Sequence, residues 1–169
     1  MKKIIITMLL GMGVLIAKAQ IPQPDPDTTA KHFLIVASIG NLQEVNAGQL
    51  AVQKAKNADV RSFGQMMVKD HGDAEQKLLQ LAKQKRIDIP TSASGGIQPD
   101  LNLKNAGDSF DKKFVHAMLS GHRNTVETFQ KYATTGKDPD VRAFAQQTLP
   151  TLKAHLAAIT AIDKQINSK

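Results

Sequence analysis

Four stretches of helical period, each close to 28 residues long, constrain this chain more than anything else in it. In the first, from about Thr28 to Lys56, Phe33, Ala37, Gly40, Glu44, Ala47 and Ala51 recur at spacings of three and four, the period of one helix face. The second is predicted to begin after Asn57-Ala58 with Asp59 as N-cap. It runs to about Arg86 with Val60, Phe63, Met67, His71, Ala74, Leu78 and Leu81 on one stripe. The third opens at Asp108-Ser109-Phe110-Asp111, a capping-box pattern with Asp in the Glu position. It carries Val115, Met118, His122, Val126, Phe129 and Ala133, and Gly136 can stop it. Asp138-Pro139, an N-cap followed by proline at the first helical position, starts the fourth. Its stripe is Val141, Phe144, Thr148, Leu152, His155, Ile159, Ile162 and Ile166, and Pro150 within it is expected to kink it by taking a donor from the carbonyl of Gln146.

The connections decide how these helices pair. Links at 57–58 and 136–137 are short, so helices one and two form an antiparallel hairpin, and so do three and four. The segment from about 87 to 107 is longer and carries Pro90, Ser92, Ser94, Gly95, Gly96 and Pro99, with Leu101 and Leu103 able to form one short helix. A 28-residue helix is about 42 Å long, and twenty extended residues reach roughly 60–70 Å. The crossover can therefore travel the length of the bundle. The expected fold is all-α: a ferritin-like four-helix bundle of two antiparallel helical hairpins joined by a long crossover, occupying residues 28–169.

Composition agrees with helices and narrows the chemistry. Aromatic residues are only 4% of the chain against 41% hydrophobic, so the core is aliphatic and alanine-rich. With no cysteine, thiolate sites and disulfides are excluded. Residues 1–19 read as a signal peptide: Lys2 and Lys3, an apolar run from Ile4 to Ala17, and the small-x-small pattern Ala17-Lys18-Ala19. Cleavage there would start the mature chain at Gln20, followed by an extended, proline-rich linker over 20–27. It would remove three lysines and lower the formal charge from +7 to +4. The apolar run is shorter than the ~20 residues of a membrane span, and no transmembrane segment is expected after signal removal. The expected location is the periplasm, with outer-membrane association open. The remaining lysines form no basic block and are not interleaved with aromatics, so no nucleic-acid partner is expected.

The candidate site comes from heights along the helices. Midpoints fall near residues 42, 72, 121 and 152. Glu44, His71, His122 and His155 each lie on an apolar stripe within about one turn of a midpoint. Glu75 follows His71 by one turn on the same face. Up to three imidazoles and two carboxylates are thus expected to converge in an aliphatic interior, a donor set that suits one ion of iron, zinc, copper or manganese. The same residues can instead hydrogen-bond one another as a polar layer that fixes helix register. Asp70, beside the seam, is placed to orient an imidazole. Glu127, His116, His32 and Asp73 read as solvent-facing, Tyr132 as a seam residue, and Met66, Met67 and Met118 as core or near-core filler. No nucleophile motif or phosphate loop is present.

Several segments together carry a resemblance: Leu42-Gln43-Glu44-Val45, Gly48-Gln49-Leu50-Ala51, Phe63-Gly64-Gln65-Met66-Met67-Val68-Lys69-Asp70-His71, His122, and Thr148-Leu149-Pro150-Thr151-Leu152-Lys153-Ala154-His155-Leu156. Over about 30–160 the chain resembles an uncharacterised family of exported bacterial proteins, a domain of unknown function often labelled an outer membrane protein. That resemblance implies a ferritin-like fold and no settled activity. Ferritin-like diiron centres use two Glu-x-x-His motifs. Asn124-Thr125-Val126-Glu127 and Leu152-Lys153-Ala154-His155 stand in the corresponding regions, so the full diiron set is absent. Three functions stay open: a non-catalytic bundle holding one transition metal, a metal-dependent redox or stress enzyme, and a structural envelope protein with a buried polar layer.

Overall fold

The computed structural model describes residues 29–89, 91, 97 and 100–168; the expected signal peptide and linker lie outside the described residues. Regular structure among these residues is helical throughout. Helix α1 spans Ala30–Lys54, α2 Ala58–Lys85, the single-turn α3 Leu101–Lys104, α4 Phe110–Thr135 and α5 Pro139–Asn167, with a turn of 3-10 helix at Gly107–Ser109. No described helix is long and apolar enough to cross a membrane.

The helix ends follow local chemistry, with three departures from expectation. Asp138 caps α5 as its sequence predicts, accepting from the N–H groups of Asp140 and Val141. Helix α2 is capped by Asn57, not Asp59: the Asn57 side chain accepts from Asp59 and Val60, and Asp59 sits in the first turn, where its charge complements the helix dipole. The capping box at α4 does not form. Ser109 Oγ donates to the Ala106 carbonyl, while the Asp111 carboxylate accepts from the N–H groups of Lys56 (3.2 Å) and Asn57 (2.8 Å). Gly136 ends α4 without a left-handed backbone (φ −58°). Its glycine is required by packing, since a Cβ there would lie 2.4 Å from the Tyr132 ring. Helix α5 is continuous through Pro150.

Contacts at the two ends of the bundle fix its topology. Asp111 ties the start of α4 to the α1–α2 turn. At the other end Lys85, in the last turn of α2, pairs with Asp138 (2.8 Å) and Asp140 (2.6 Å) at the start of α5. The crossover therefore leaves one end of the bundle and arrives at the other. Helices α1 and α2 form one hairpin and α4 and α5 the second; α2 packs on α5 and α1 on α4. Within the first hairpin the backbones approach closely at Gly48 and Gly64. A Cβ on Gly48 would lie 2.6 Å from the Gly64 carbonyl oxygen, so only glycine fits.

The core is divided. One apolar cluster, built on Phe63, Phe114, Val115 and Ile159, fills the end near the α1–α2 turn and takes in Leu103 and Ala106 from the crossover. A second, built on Phe33, Leu34, Leu78, Tyr132 and Phe144, fills the opposite end. Between them lie the buried polar residues Ser38, Asn41, His71, Glu75, His122 and His155.

Candidate metal centre

Three helices each deliver one imidazole to this waist: His71 from α2, His122 from α4 and His155 from α5, exposed by only 4%, 1% and 2%. The ring centroids are 5.7, 5.3 and 5.5 Å apart, nearly an equilateral triangle. One ring nitrogen of each lies within 4.8 Å of one from each of the others. Phe63 stands edge-on to two of the rings, closing the site toward the first apolar cluster.

The other nitrogen of each ring meets an oxygen. His71 Nδ1 is 3.1 Å from Asn41 Oδ1, His122 Nδ1 is 2.9 Å from the Met118 carbonyl, and His155 Nε2 is 3.0 Å from Asp70 Oδ2. The Asn41 amide nitrogen donates to Glu75, which leaves its oxygen facing the ring. Each of these oxygens can only accept, so the ring nitrogen beside it carries the proton. The remaining nitrogens, His71 Nε2, His122 Nε2 and His155 Nδ1, then bear bare lone pairs; all three are buried and without a partner. Three acceptors cannot satisfy one another, and a single water has two hydrogens for three of them. A cation reconciles all three. Metal-bound histidines usually have the far nitrogen held in this way by a carbonyl or carboxylate.

Electrostatics agree. Burial, joined by repulsion from His122 and His155, pushes His71 down to about 3. Burial brings His122 down to about 4, against the opposing pull of the Met118 carbonyl. Both rings are thus neutral and free to coordinate at neutral pH. Burial acts upward on Asp70 too, but the hydrogen bonds from His155 and Lys69 outweigh it and hold that carboxyl below its ordinary range.

The two glutamates of the expected donor set stand outside the triangle. Glu44 Oε1 is 3.6 Å from His122 Nδ1, beyond a hydrogen bond, and its Oε2 is buried without a partner. Burial raises Glu44 to about 8, so at neutral pH this is contact between two uncharged groups and not an ion pair. Glu75 points to α1: its oxygens accept from Ser38 Oγ at 2.7 Å and Asn41 Nδ2 at 3.1 Å. It reaches His71 only through Asn41. Burial raises this carboxyl, and those two donors partly offset the rise.

Sequence reasoning missed Ser38 and Asn41. Their one signal is a three-residue spacing beside Leu34 and Ala37 on a helix that is apolar on nearly every side. Asp70 does stand against an imidazole, that of His155. His116, His32 and Glu127 are exposed, Asp73 pairs with Lys69, and Tyr132 is buried against Phe33.

No curated protein matches the chain. Among solved structures, CopM in its Cu(II)-bound form is similar at a TM-score of 0.67 and 16% identity, covering 81% of this chain and 97% of that one. CopM in its Cu(I)-bound form is similar at 0.68 and 14%, covering 80% and 96%. A DUF305 fragment from Deinococcus radiodurans is similar at 0.69 and 12%, covering 85% and 99%. At such identities the likeness establishes the helical-bundle fold alone. The family relation is direct: matched over residues 16–162, the chain belongs to the family described as Domain of unknown function (DUF4142).

Proposed function

We propose that this is an exported helical-bundle protein that binds one transition-metal ion, copper foremost, between His71, His122 and His155. The observation that carries the reading is the set of three buried, unpartnered ring nitrogens whose opposite nitrogens are all held by oxygens. Nitrogen donors of this kind suit copper and zinc better than magnesium or calcium. The solved structures of similar fold include Cu(II)-, Cu(I)- and Ag-bound forms of CopM, which supports placing copper first. The site supplies binding and has no second metal-ligand set beside it among the described residues. Export rests on the signal-like first 19 residues, and the periplasm is the destination those residues favour.

Protein purified without a metal-affinity tag tests this. Titration with Cu(II) should saturate at one ion per chain, and peroxide or ferrous iron should not be turned over by the loaded protein. Substoichiometric binding, unaffected by His71→Ala or His155→Ala, would return the waist to a purely structural role. Turnover would make the protein a metal-dependent redox enzyme instead.

A further inference from the structure

The oxygens that hold the three rings differ in charge. His71 leans on the amide oxygen of Asn41 and His122 on the backbone carbonyl of Met118, both neutral groups. His155 is held by a carboxylate, its Nε2 3.0 Å from Asp70 Oδ2. Burial pushes the Asp70 carboxyl up, but the hydrogen bonds from His155 and Lys69 hold it below its ordinary range, so it is an anion at neutral pH. The two glutamates make no such contact with a ring. Glu44 lies beside His122 without a hydrogen bond and is uncharged at neutral pH, and Glu75 reaches His71 only through the Asn41 amide.

Asp70 stands in a cleft of about 280 Å³ between α2 and α5, which Lys69, Asp73, His71 and His155 also line. The ammonium of Lys69 lies 3.4 Å from Asp70 Oδ1 and 3.2 Å from Asp73 Oδ2, shared between the two. Negative charge thus enters the waist along one line, from Asp70 through His155, and Lys69 tempers it. A doubly charged cation gains twice as much from one fixed negative charge as a singly charged cation in the same place. A carboxylate on the far nitrogen of a ligating imidazole also makes that ring the more basic donor. Both effects weigh more on Cu(II) than on Cu(I).

We propose that Asp70 sets the oxidation-state preference of the site: acting through His155, it tightens the hold on Cu(II) relative to Cu(I). This rests on the metal-binding reading above. Asp70 is a positioning residue, since it touches the ring nitrogen opposite the bare one.

The test is the midpoint potential of the copper-loaded full chain, in which bound Cu(II) takes one electron from an electrode to become Cu(I). Affinities for each state come from competition with chelators. Asp70→Asn leaves an oxygen able to accept from His155 Nε2 and removes the charge. It is expected to weaken Cu(II) roughly tenfold more than Cu(I), which raises the potential by about 59 mV. The His155 tautomer of the metal-free variant, read from its ring nitrogen shifts, should be unchanged. Lys69→Met uncovers the Asp70 charge and should lower the potential by a smaller amount. Glu127→Gln, which removes an exposed negative charge from α4, should leave it unchanged. Equal weakening of both oxidation states in Asp70→Asn, at an unchanged potential, would overturn the proposal and leave Asp70 to orient the ring alone. A rise in Lys69→Met, or a shift in Glu127→Gln as large as that in Asp70→Asn, would also overturn it. Failure of the unsubstituted protein to bind copper would remove the site itself, an outcome distinct from copper held at one potential in every variant.

Discussion

The two halves of the waist are built from the same kinds of residue and differ in how their polar atoms are satisfied. On the α1 side, Ser38, Asn41 and Glu75 use one another fully: both Glu75 oxygens accept, and the Asn41 amide donates to Glu75 while its oxygen faces His71. On the other side, His71, His122 and His155 each use one nitrogen and leave one buried and unpartnered. A network kept only for register has no reason to leave three lone pairs aimed into one another, since each buried unsatisfied group costs about 1–3 kcal/mol. The saturated half behaves as structure and the unsaturated half as a binding site. Asn41 joins them, taking its orientation from Glu75 and passing it to His71.

The largest effect should separate the halves outright. His122→Leu keeps the volume and removes one donor. Copper affinity should fall by more than about a hundredfold, beyond what loss of an outer partner of a ligand costs. Its metal-free stability should stay within about 1 kcal/mol of the parent, because losing the bond from Nδ1 to the Met118 carbonyl is offset by removing the buried, unpartnered Nε2. Glu75→Ala should do the reverse. It takes the acceptor from the buried Asn41 amide and removes the Ser38 hydroxyl's bond to Glu75, and should cost about 1–3 kcal/mol in denaturant unfolding, the usual penalty for one buried group left unmade. Equal losses of stability in the two variants would erase the distinction.

A smaller effect sharpens it through pH. His71 and His122 titrate near 3 and 4 in the folded chain against 6.5 ordinarily. The unfolded chain therefore takes up protons first as pH falls. The contribution of these two rings to metal-free stability should hold above pH 6.5 and be lost below, by up to about 1.4 kcal/mol per pH unit for each ring. Glu44 acts in the opposite sense: raised from 4.5 to about 8, it favours the folded state at low pH, and that contribution is lost as pH climbs through this window. Glu44→Gln should flatten the loss between pH 6.5 and 8 and steepen the acid limb between pH 4.5 and 6.5, where Glu44 offsets one ring, as followed by thermal melts across the pH range.

Much of this architecture was legible in the sequence because helices of this length announce themselves by period and by caps. The hairpins and the crossover follow from link lengths alone, and equal distance from the helix midpoints was enough to bring His71, His122 and His155 to one level. Helix α1 was harder. Its sequence is apolar on nearly every side, so periodicity could not choose among its faces, and the buried one proved to include Ser38, Asn41 and Gly48. Gly40 and Glu44, assigned to the stripe, lie at its edge, Gly40 partly exposed and the Glu44 side chain mostly covered. That small rotation is why Glu75 finds two donors on α1. A capping box depends equally on what lies nearby in space: Asp111 had the right spacing from Asp108 but a stronger claim from the two N–H groups of the α1–α2 turn. The close approach of Gly48 and Gly64 likewise needed three dimensions.

Anomalous scattering at the copper edge, from crystals of the loaded, tag-free protein, tests the central claim most directly. A single peak should lie inside the bundle, about 2.0–2.1 Å from His71 Nε2, His122 Nε2 and His155 Nδ1, the span of a metal–imidazole bond. A peak confined to surface carboxylates such as Asp70 and Asp73, with the three rings left as they are, would contradict it.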